Sequence, residues 1–207
     1  MPGTVYFVTD IEADGPDPSR NSMLSFASVA VRRESGVLGS FERTLQPRAD
    51  RSPDEDTLKW WRSQPEAYRA ATADAVTPDA AMTAFADWVG SFPRPRAFAA
   101  RPLLFDGMWM DEYLKTFART RIFGGPFKGR QIFDEAGVDI PSLMGGMFGW
   151  DYRDWSKSDF PSDWLGGREH THRAIDDALG YAHLLLKLLR ISSAQAAKPE
   201  DFRRPPN

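Results

Sequence analysis

The first 45 residues have the alternation of hydrophobic and polar positions that is typical of β-strands. Residues 4–12 are rich in β-branched and aromatic side chains, which favours a buried strand. Two more strands are predicted at residues 23–31 and 39–45, with Ser35-Gly36 supplying turn chemistry between them. We therefore expect three antiparallel strands at the start of the chain.

Helical patterns follow these strands. Proline and acidic residues at 53–56 precede a helix start at 57–61, and Thr77-Pro78-Asp79 caps an amphipathic run to Phe92. Beyond that point strands and helices alternate in the predicted order: a strand at 96–100, a helix at 105–120, a strand at 130–133 and a helix at 173–191. This order predicts an α/β domain with a mixed central sheet flanked by helices.

Residues 145–170 have no clear period and contain two Gly-Gly pairs, so they are predicted to form a long loop. Trp150, Tyr152 and Trp155 in this segment either line a groove or form a dimer contact, and the sequence does not choose between them. Residues 1–195 are expected to form a single domain, and 196–207 a flexible tail.

Composition narrows the class of protein. The chain has 207 residues, of which 42% are apolar and 27% charged, as in an ordinary globular protein. Its apolar runs are shorter than the roughly 20 residues that cross a bilayer, and its first residues lack the features of a secretory signal, so we expect a cytoplasmic protein with no membrane span. Because the chain has no cysteine, any metal must be held by oxygen or imidazole, which favours hard divalent cations.

The charge balance argues against a protein that coats long nucleic acids. Lysine and arginine number 26 against 29 acidic residues, which gives a net charge of −3. An enzyme that engages only a chain end needs few phosphate contacts and is compatible with this charge.

Two carboxylates stand out in the first predicted strand. Asp10 and Glu12 are two positions apart, so both side chains lie on the same face of the sheet. Burying them side by side is costly without a cation, so the pair requires either a bound metal or a position at the wet end of the strand.

The last predicted helix begins with a second set of polar residues. Asp177 shares a face with apolar positions and is predicted to point inward, whereas Asp176 lies on a solvated face. His172 just before the helix can serve as a general base, with His170 as its rival and His183 on the exposed side.

Three segments together resemble the motifs of the DEDDh 3′-to-5′ exonucleases, a superfamily that includes polymerase proofreading subunits, oligoribonuclease and ribonuclease T. The segments are Asp10-Ile11-Glu12, Phe105-Asp106 and His172-Arg173-Ala174-Ile175-Asp176-Asp177, in the family's order. The resemblance implies a ribonuclease H-like fold, with Asp10, Glu12, Asp106 and Asp177 as metal ligands and His172 as general base. It also implies two Mg²⁺ or Mn²⁺ ions about 3.5 to 4 Å apart, single-stranded 3′ ends as substrate and nucleoside 5′-monophosphates as product.

The second motif departs from the family pattern. Pro102 stands where family members commonly have an asparagine, four residues before the aspartate, so the position of Asp106 is the least secure of the four. Asp111 is the competing residue, although its place beside Lys115 indicates a surface ion pair.

The segment Trp60-Trp61-Arg62-Ser63-Gln64 resembles the Trp-Trp-x-x-Gln helix of a bacterial and phage 3′-to-5′ exoribonuclease subgroup. Adjacent tryptophans on one helix cannot both face the core, so one is expected near the cleft, where it can stack on a base. We therefore predict that Trp60, Trp61, Gln64 and Glu12 contact substrate and that RNA is preferred over DNA. A DNA exonuclease and a non-catalytic binding protein of the same fold are the alternatives, and a homodimer is possible.

Overall fold

The computed structural model describes residues 3–124, 130–134, 137–151, 160–168 and 171–195. Within these ranges a five-stranded sheet has the order β3-β2-β1-β4-β5. The strands are β1 (Val5–Ala13), β2 (Met23–Arg32), β3 (Gly36–Thr44), β4 (Arg96–Ala100) and β5 (Val138–Asp139). The strands β1, β2 and β3 pair with one another in antiparallel fashion, while β4 pairs parallel with β1 and β5 parallel with β4, so the predicted mixed sheet is confirmed.

The pairing of β1 leaves its carboxyl end open on one side. On the β2 side the pairs continue through Asp10 with Ala27 and Glu12 with Ser25. On the β4 side the register ends at Val8, opposite Ala99. The end of β1 therefore extends past its parallel neighbour, which leaves room beside it for other side chains.

Six helices surround the sheet in the described part of the chain. They are α1 (Glu55–Ser63), α2 (Pro65–Thr72), α3 (Pro78–Gly90), α4 (Leu103–Tyr113), α5 (Ile140–Phe148) and α6 (Ala174–Gln195). The helix α4 continues as a π-helical turn at Leu114–Ala118 and ends at Arg119, which has a left-handed backbone.

Side-chain caps fix where three of these helices begin. Asp54 accepts a hydrogen bond from the amide of Thr57, and Thr77 and Asp139 do the same for α3 and α5. Each cap satisfies an amide that has no partner inside the helix. Short polar residues before an apolar run thus set these boundaries, as the sequence predicts for Thr77.

The two faces of the sheet support separate cores. Val5, Phe7 and Ile11 of β1 belong to the core that includes α3 and α4. Val8 faces the opposite side and packs with α5 and α6. Because side chains alternate along a strand, Asp10 and Glu12 share the face of Val8 and point toward α6.

The predicted strand at 130–133 is wrong. Gln131 forms only an isolated bridge with Arg121, and the fifth strand of the sheet is instead Val138–Asp139. Phe133 is fully buried and packs edge-on against Phe7 and Phe98, so the apolar pattern there reflects burial and not strand pairing.

The predicted loop at 145–170 is partly wrong. Gly145 and Gly146 lie inside α5. This helix ends at Phe148 and is followed by Gly149, which has a φ of 66°, a conformation that glycine adopts without strain. Tyr152 and Trp155, and the predicted tail at 196–207, lie outside the described residues. None of the helices in the described ranges has the length and hydropathy needed to cross a membrane.

We expect Tyr113→Phe to lower the free energy of unfolding by about 1–3 kcal/mol, because it leaves a buried amide without its acceptor. Tyr113 is fully buried, and its hydroxyl oxygen accepts a 2.8 Å hydrogen bond from the amide of Met23 at the start of β2. Urea unfolding followed by circular dichroism measures the loss. Tyr68→Phe, at a residue that is 37% exposed, is the control and should change stability little. Equal effects of the two substitutions would contradict the role of this hydrogen bond.

Candidate active site

The first two acidic residues come from the open end of β1. Asp10 is only 8% exposed and Glu12 is half-buried, and both lie on the sheet face that α6 covers. The strand continues to Ala13, so this is an ordered part of the sheet and not a frayed end. Burial of two adjacent carboxylates on one face calls for a compensating positive charge.

Asp106 reaches the same place from the first turn of α4. Pro102 is the residue that precedes this helix, and its carbonyl accepts a hydrogen bond from the Asp106 amide. The amide of Leu103 donates to Asp139 Oδ1 at 2.8 Å, which fixes the start of α4 against the end of β5. Asp106 is 3% exposed, and its carboxylate interacts with Asp10 and with the backbone amide of Ile11. Pro102 therefore does not move Asp106 away from β1.

The first turn of α6 supplies the fourth carboxylate. Asp177 is 4% exposed, so its predicted inward orientation is confirmed, and its Oδ1 accepts a hydrogen bond from the amide of Thr171. Asp176 points away, accepts from the Thr171 hydroxyl at 2.9 Å and lies 3.6 Å from Arg173. The two neighbouring aspartates thus lie on different faces of α6, as the helical spacing predicts.

His172 lies two residues before the start of α6, in a left-handed backbone conformation with a φ of 55°. One ring nitrogen of His172 and one carboxylate oxygen each of Glu12 and Asp177 lie within 4.8 Å of one another. Asp10 in turn interacts electrostatically with Glu12, Asp106 and Asp177. Five residues from three segments that are far apart in sequence therefore meet at the end of β1.

The electrostatics of this cluster disfavour negative charge. Burial, followed by the charges of Asp177 and Asp106, raises the pKa of Glu12 to about 9. Burial also raises the pKa of Asp106 to about 8, and burial together with its three acidic neighbours raises the pKa of Asp10 well above its usual value. A group of carboxylates in this state gains from any cation that displaces protons.

The residues present fit a hard divalent cation. The buried Oδ2 atom of Asp106 has no hydrogen-bond partner among the residues that the structure describes, although it faces other carboxylates. The donor atoms are carboxylate oxygens with one imidazole, which suit Mg²⁺ or Mn²⁺ better than a soft metal. A buried carboxylate oxygen without a hydrogen-bond partner is available to coordinate a metal ion.

The arrangement around Arg101 was not predicted from the sequence. Arg101 follows β4, and its Nη1 donates to the hydroxyl of Tyr181 at 3.0 Å. Its guanidinium carbon lies 4.4 Å from the ring centroid of Phe160, and its charge lowers the pKa of Asp10. The position of Tyr181 four residues after Asp177, on the same helical face, was the one available signal.

The two tryptophans of α1 separate as expected, but Trp61 does not lie in the cleft. It is 2% exposed, and its Nε1 donates to the carbonyl of Ala13 at 2.9 Å, so it offers no free face to a base. Trp60 is 39% exposed, and its ring centroid lies 4.9 Å from that of His172. Gln64 is half-buried between α1 and α2, where its backbone N–H donates to the backbone carbonyl of Trp61.

The competing residues lie elsewhere. Asp111 pairs with Arg121, at 3.0 Å between Oδ2 and Nε, and accepts from the amide of Ile122, so the predicted pair with Lys115 is wrong. Lys115 instead pairs with Glu112. His183 is exposed on the outer face of α6, and His170 lies outside the described residues.

A ribonuclease H-like fold that gathers four carboxylates and a histidine at the end of its central strand defines the DEDDh class of 3′-5′ exonucleases. The sequence matches the model of the 3′-5′ exoribonuclease Rv2179c-like domain over residues 5–189. The chain belongs to that family.

Solved structures share the fold at low sequence identity. The nuclease domain of 3′hExo, a DEDDh family member bound to rAMP, superposes with a TM-score of 0.64 at 12% identity, covering 90% of this chain and 92% of that chain. Cell-death related nuclease 4 superposes with a TM-score of 0.61 at 16% identity, covering 92% of this chain and 65% of that chain. The zinc-bound complex of E. coli ExoI with single-stranded DNA superposes with a TM-score of 0.63 at 14% identity, covering 94% of this chain and 42% of that chain. No curated protein sequence gives a significant match. The predicted ribonuclease H-like fold is confirmed.

The metal-free protein should lose stability as pH rises. The pKa values of about 9 for Glu12 and about 8 for Asp106 lie above the ordinary 4.5 and 3.8, so the folded state binds protons that the unfolded state has released. Their stabilising contribution is complete below the ordinary values and is lost as pH rises through the folded ones. Urea unfolding in EDTA at several pH values between 5 and 9 measures the decline.

Asp10→Asn is the variant that tests this assignment, because it removes one of the repelling charges and should flatten the decline. Asp111→Asn is the matched control and should leave the pH profile as in wild type, since Asp111 pairs with Arg121 outside the cluster. Stability that rises between pH 5 and 9, or that declines equally in Asp10→Asn, would refute the mutual repulsion of these carboxylates.

Proposed function

We propose that this chain removes nucleotides from the 3′ ends of single-stranded nucleic acid, with RNA preferred over DNA, and releases nucleoside 5′-monophosphates. The observation that carries the proposal is the convergence of Asp10, Glu12, Asp106, Asp177 and His172 at the open end of β1. Membership of a 3′-5′ exoribonuclease domain family supports the reaction class and the choice of RNA.

Asp10, Glu12, Asp106 and Asp177 would hold two divalent cations, Mg²⁺ or Mn²⁺. When bound, such ions supply Lewis-acid stabilisation of the attacking and leaving oxygens of the phosphodiester. The fit is supported by the oxygen-rich donor set and by the partnerless Oδ2 of Asp106. The positive charge of the ions also offsets the repulsion that raises the pKa values of these carboxylates.

His172 acts as the general base in this proposal. Its ring nitrogen accepts a proton from the attacking water as the new phosphorus–oxygen bond forms and the bond to the 3′ oxygen of the preceding nucleotide breaks. Glu12 and Asp177 lie beside the ring and stabilise the protonated imidazole that results. The terminal nucleotide leaves as a 5′-monophosphate, and the shortened strand keeps a 3′ oxygen that takes up a proton.

Substrate contacts are proposed for the exposed part of Trp60 and for Gln64. Trp60 contacts His172 and Gln64 directly follows α1, and an aromatic edge at the position of Trp60 suits an unstacked terminal base. Arg101 is held by Tyr181 and Phe160 and is therefore assigned to the carboxylate cluster and not to the substrate phosphate. The net charge of −3 agrees with a short site at a chain end.

DNA is the second candidate substrate. It is favoured by the likeness to E. coli ExoI in complex with single-stranded DNA, while the likeness to 3′hExo bound to rAMP favours RNA. A donor or acceptor that contacts the 2′-hydroxyl would decide between them.

Wild-type protein with Mg²⁺ or Mn²⁺ should shorten a 5′-labelled single-stranded RNA from its 3′ end, faster than the matching DNA, and EDTA should stop the reaction. Asp10→Ala should abolish cleavage, and His172→Ala should lower kcat by about 10²- to 10⁴-fold because general-base catalysis is lost. Gel electrophoresis and chromatography of the released nucleotide give the rate and the product. His183→Ala, at an exposed histidine, is the control and should cleave as wild type does. A folded wild type that binds RNA without cleaving it would instead support a non-catalytic member of the fold.

Asp106→Asn should weaken Mn²⁺ binding by at least about tenfold, because it removes a negatively charged oxygen from the site. Isothermal titration calorimetry measures the affinity. Asp111→Asn, five residues further along α4, is the matched control and should bind Mn²⁺ as wild type does. Unchanged affinity in Asp106→Asn would remove Asp106 from the ligand set.

A further inference from the structure

The helix α1 is attached to the end of β1 at both of its ends. The amide of Asp54, which caps α1, donates to the carbonyl of Asp14 at 2.8 Å. Near the other end, Trp61 Nε1 donates to the carbonyl of Ala13 at 2.9 Å. Trp61 is buried with Leu24 and two alanines of α2. The helix therefore has a fixed position relative to Asp10 and Glu12 on the same strand.

Trp60 contacts both Trp61 and His172. Its ring centroid lies 4.6 Å from that of Trp61, with an angle of 63° between the planes. The ring centroid of Trp60 also lies 4.9 Å from that of the His172 imidazole, with an angle of 89° between the planes, which is an edge-to-face arrangement. Such aromatic pairs favour one relative orientation beyond the area that they bury. A continuous set of contacts thus leads from Ala13 through Trp61 and Trp60 to His172.

His172 precedes the first helical residue of α6 by two positions. Its backbone is left-handed, a conformation uncommon for residues other than glycine. A general base must be held within hydrogen-bond reach of the proton that it takes. The ring of Trp60 is placed to restrict the imidazole to the side where Glu12 and Asp177 lie.

We propose that Trp60 is a positioning residue for the reaction: it holds the imidazole of His172 in the orientation needed to accept a proton, and does so through Trp61 and the end of β1. The proposal rests on the proposed role of His172 as general base. It assigns Trp60 a role in turnover, whereas base stacking alone would give it a role in substrate affinity.

The contact itself can be tested without activity. The full chain has three histidines, so the ring signals of ¹³C-labelled histidine can be assigned by substitution of each in turn. Trp60→Ala should shift the signals of His172, because the ring current of the indole is removed, and leave those of His183 in place. Tyr68→Ala is the matched control: Tyr68 has similar exposure and also packs on Trp61, with ring centroids 5.5 Å apart. Unchanged His172 signals in Trp60→Ala would overturn the proposal.

The role in turnover is tested by kinetics with single-stranded RNA at saturating Mn²⁺. Trp60→Ala should lower kcat by about 10- to 100-fold, since a displaced catalytic group costs this much, in addition to the rise in KM that loss of the proposed base contact would cause. Trp60→Phe should recover most of the loss because it keeps an aromatic ring, and Tyr68→Ala should behave as wild type. Adding Trp60→Ala to His172→Ala should lower kcat almost no further, because Trp60 acts through a general base that is already absent.

Two results for the Trp60 variants would count against the proposal. A raised KM with unchanged kcat in Trp60→Ala would show that the residue contacts the base without positioning His172. A drop in kcat of the double variant below that of His172→Ala, as large as the drop that Trp60→Ala causes alone, would show that Trp60 acts independently of His172. Full activity in His172→Ala would refute the general base and with it the role of Trp60, while the histidine signals would still show whether the contact exists. An inactive wild type would refute the proposed function in the same way.

Discussion

The repulsion among four carboxylates at one end of β1 is the constraint on which the rest of the structure depends. Asp10, Asp106 and Asp177 are all less than a tenth exposed, and Glu12 has a pKa raised to about 9. Nothing in local conformation favours this grouping, so it persists because both cores hold the elements that carry it. Burial of apolar side chains on the two faces of the sheet supplies that stability.

The register of the sheet leaves space for the site beside the end of β1. The pairing of β4 with β1 stops at Val8, so the space beside Asp10 is left to the start of α4 and to Arg101. Arg101, held by Tyr181, brings one positive charge to the cluster. A single guanidinium offsets only part of the negative charge of four carboxylates, which leaves the site prepared for divalent cations.

The histidine is positioned by a different principle from the carboxylates. Strand and helix backbones fix the four acidic residues, whereas His172 lies in a short connection before α6. Its ring contacts Trp60 of α1, a helix that is hydrogen-bonded to the end of the same strand that carries Asp10. The proposed metal ligands and the proposed general base therefore both lie against the end of β1.

The sequence by itself determined the first three strands, the inward face of Asp177 and the shared face of Asp10 and Glu12, because periods of two and 3.6 residues follow from local backbone geometry. Only the tertiary structure decided that residues 138–139 and not 130–133 complete the sheet, that Trp61 is buried while Trp60 meets His172, and that Asp106 remains at the site despite Pro102. These outcomes depend on contacts between segments far apart in the chain, and neither hydrophobic pattern nor propensity records which segments meet.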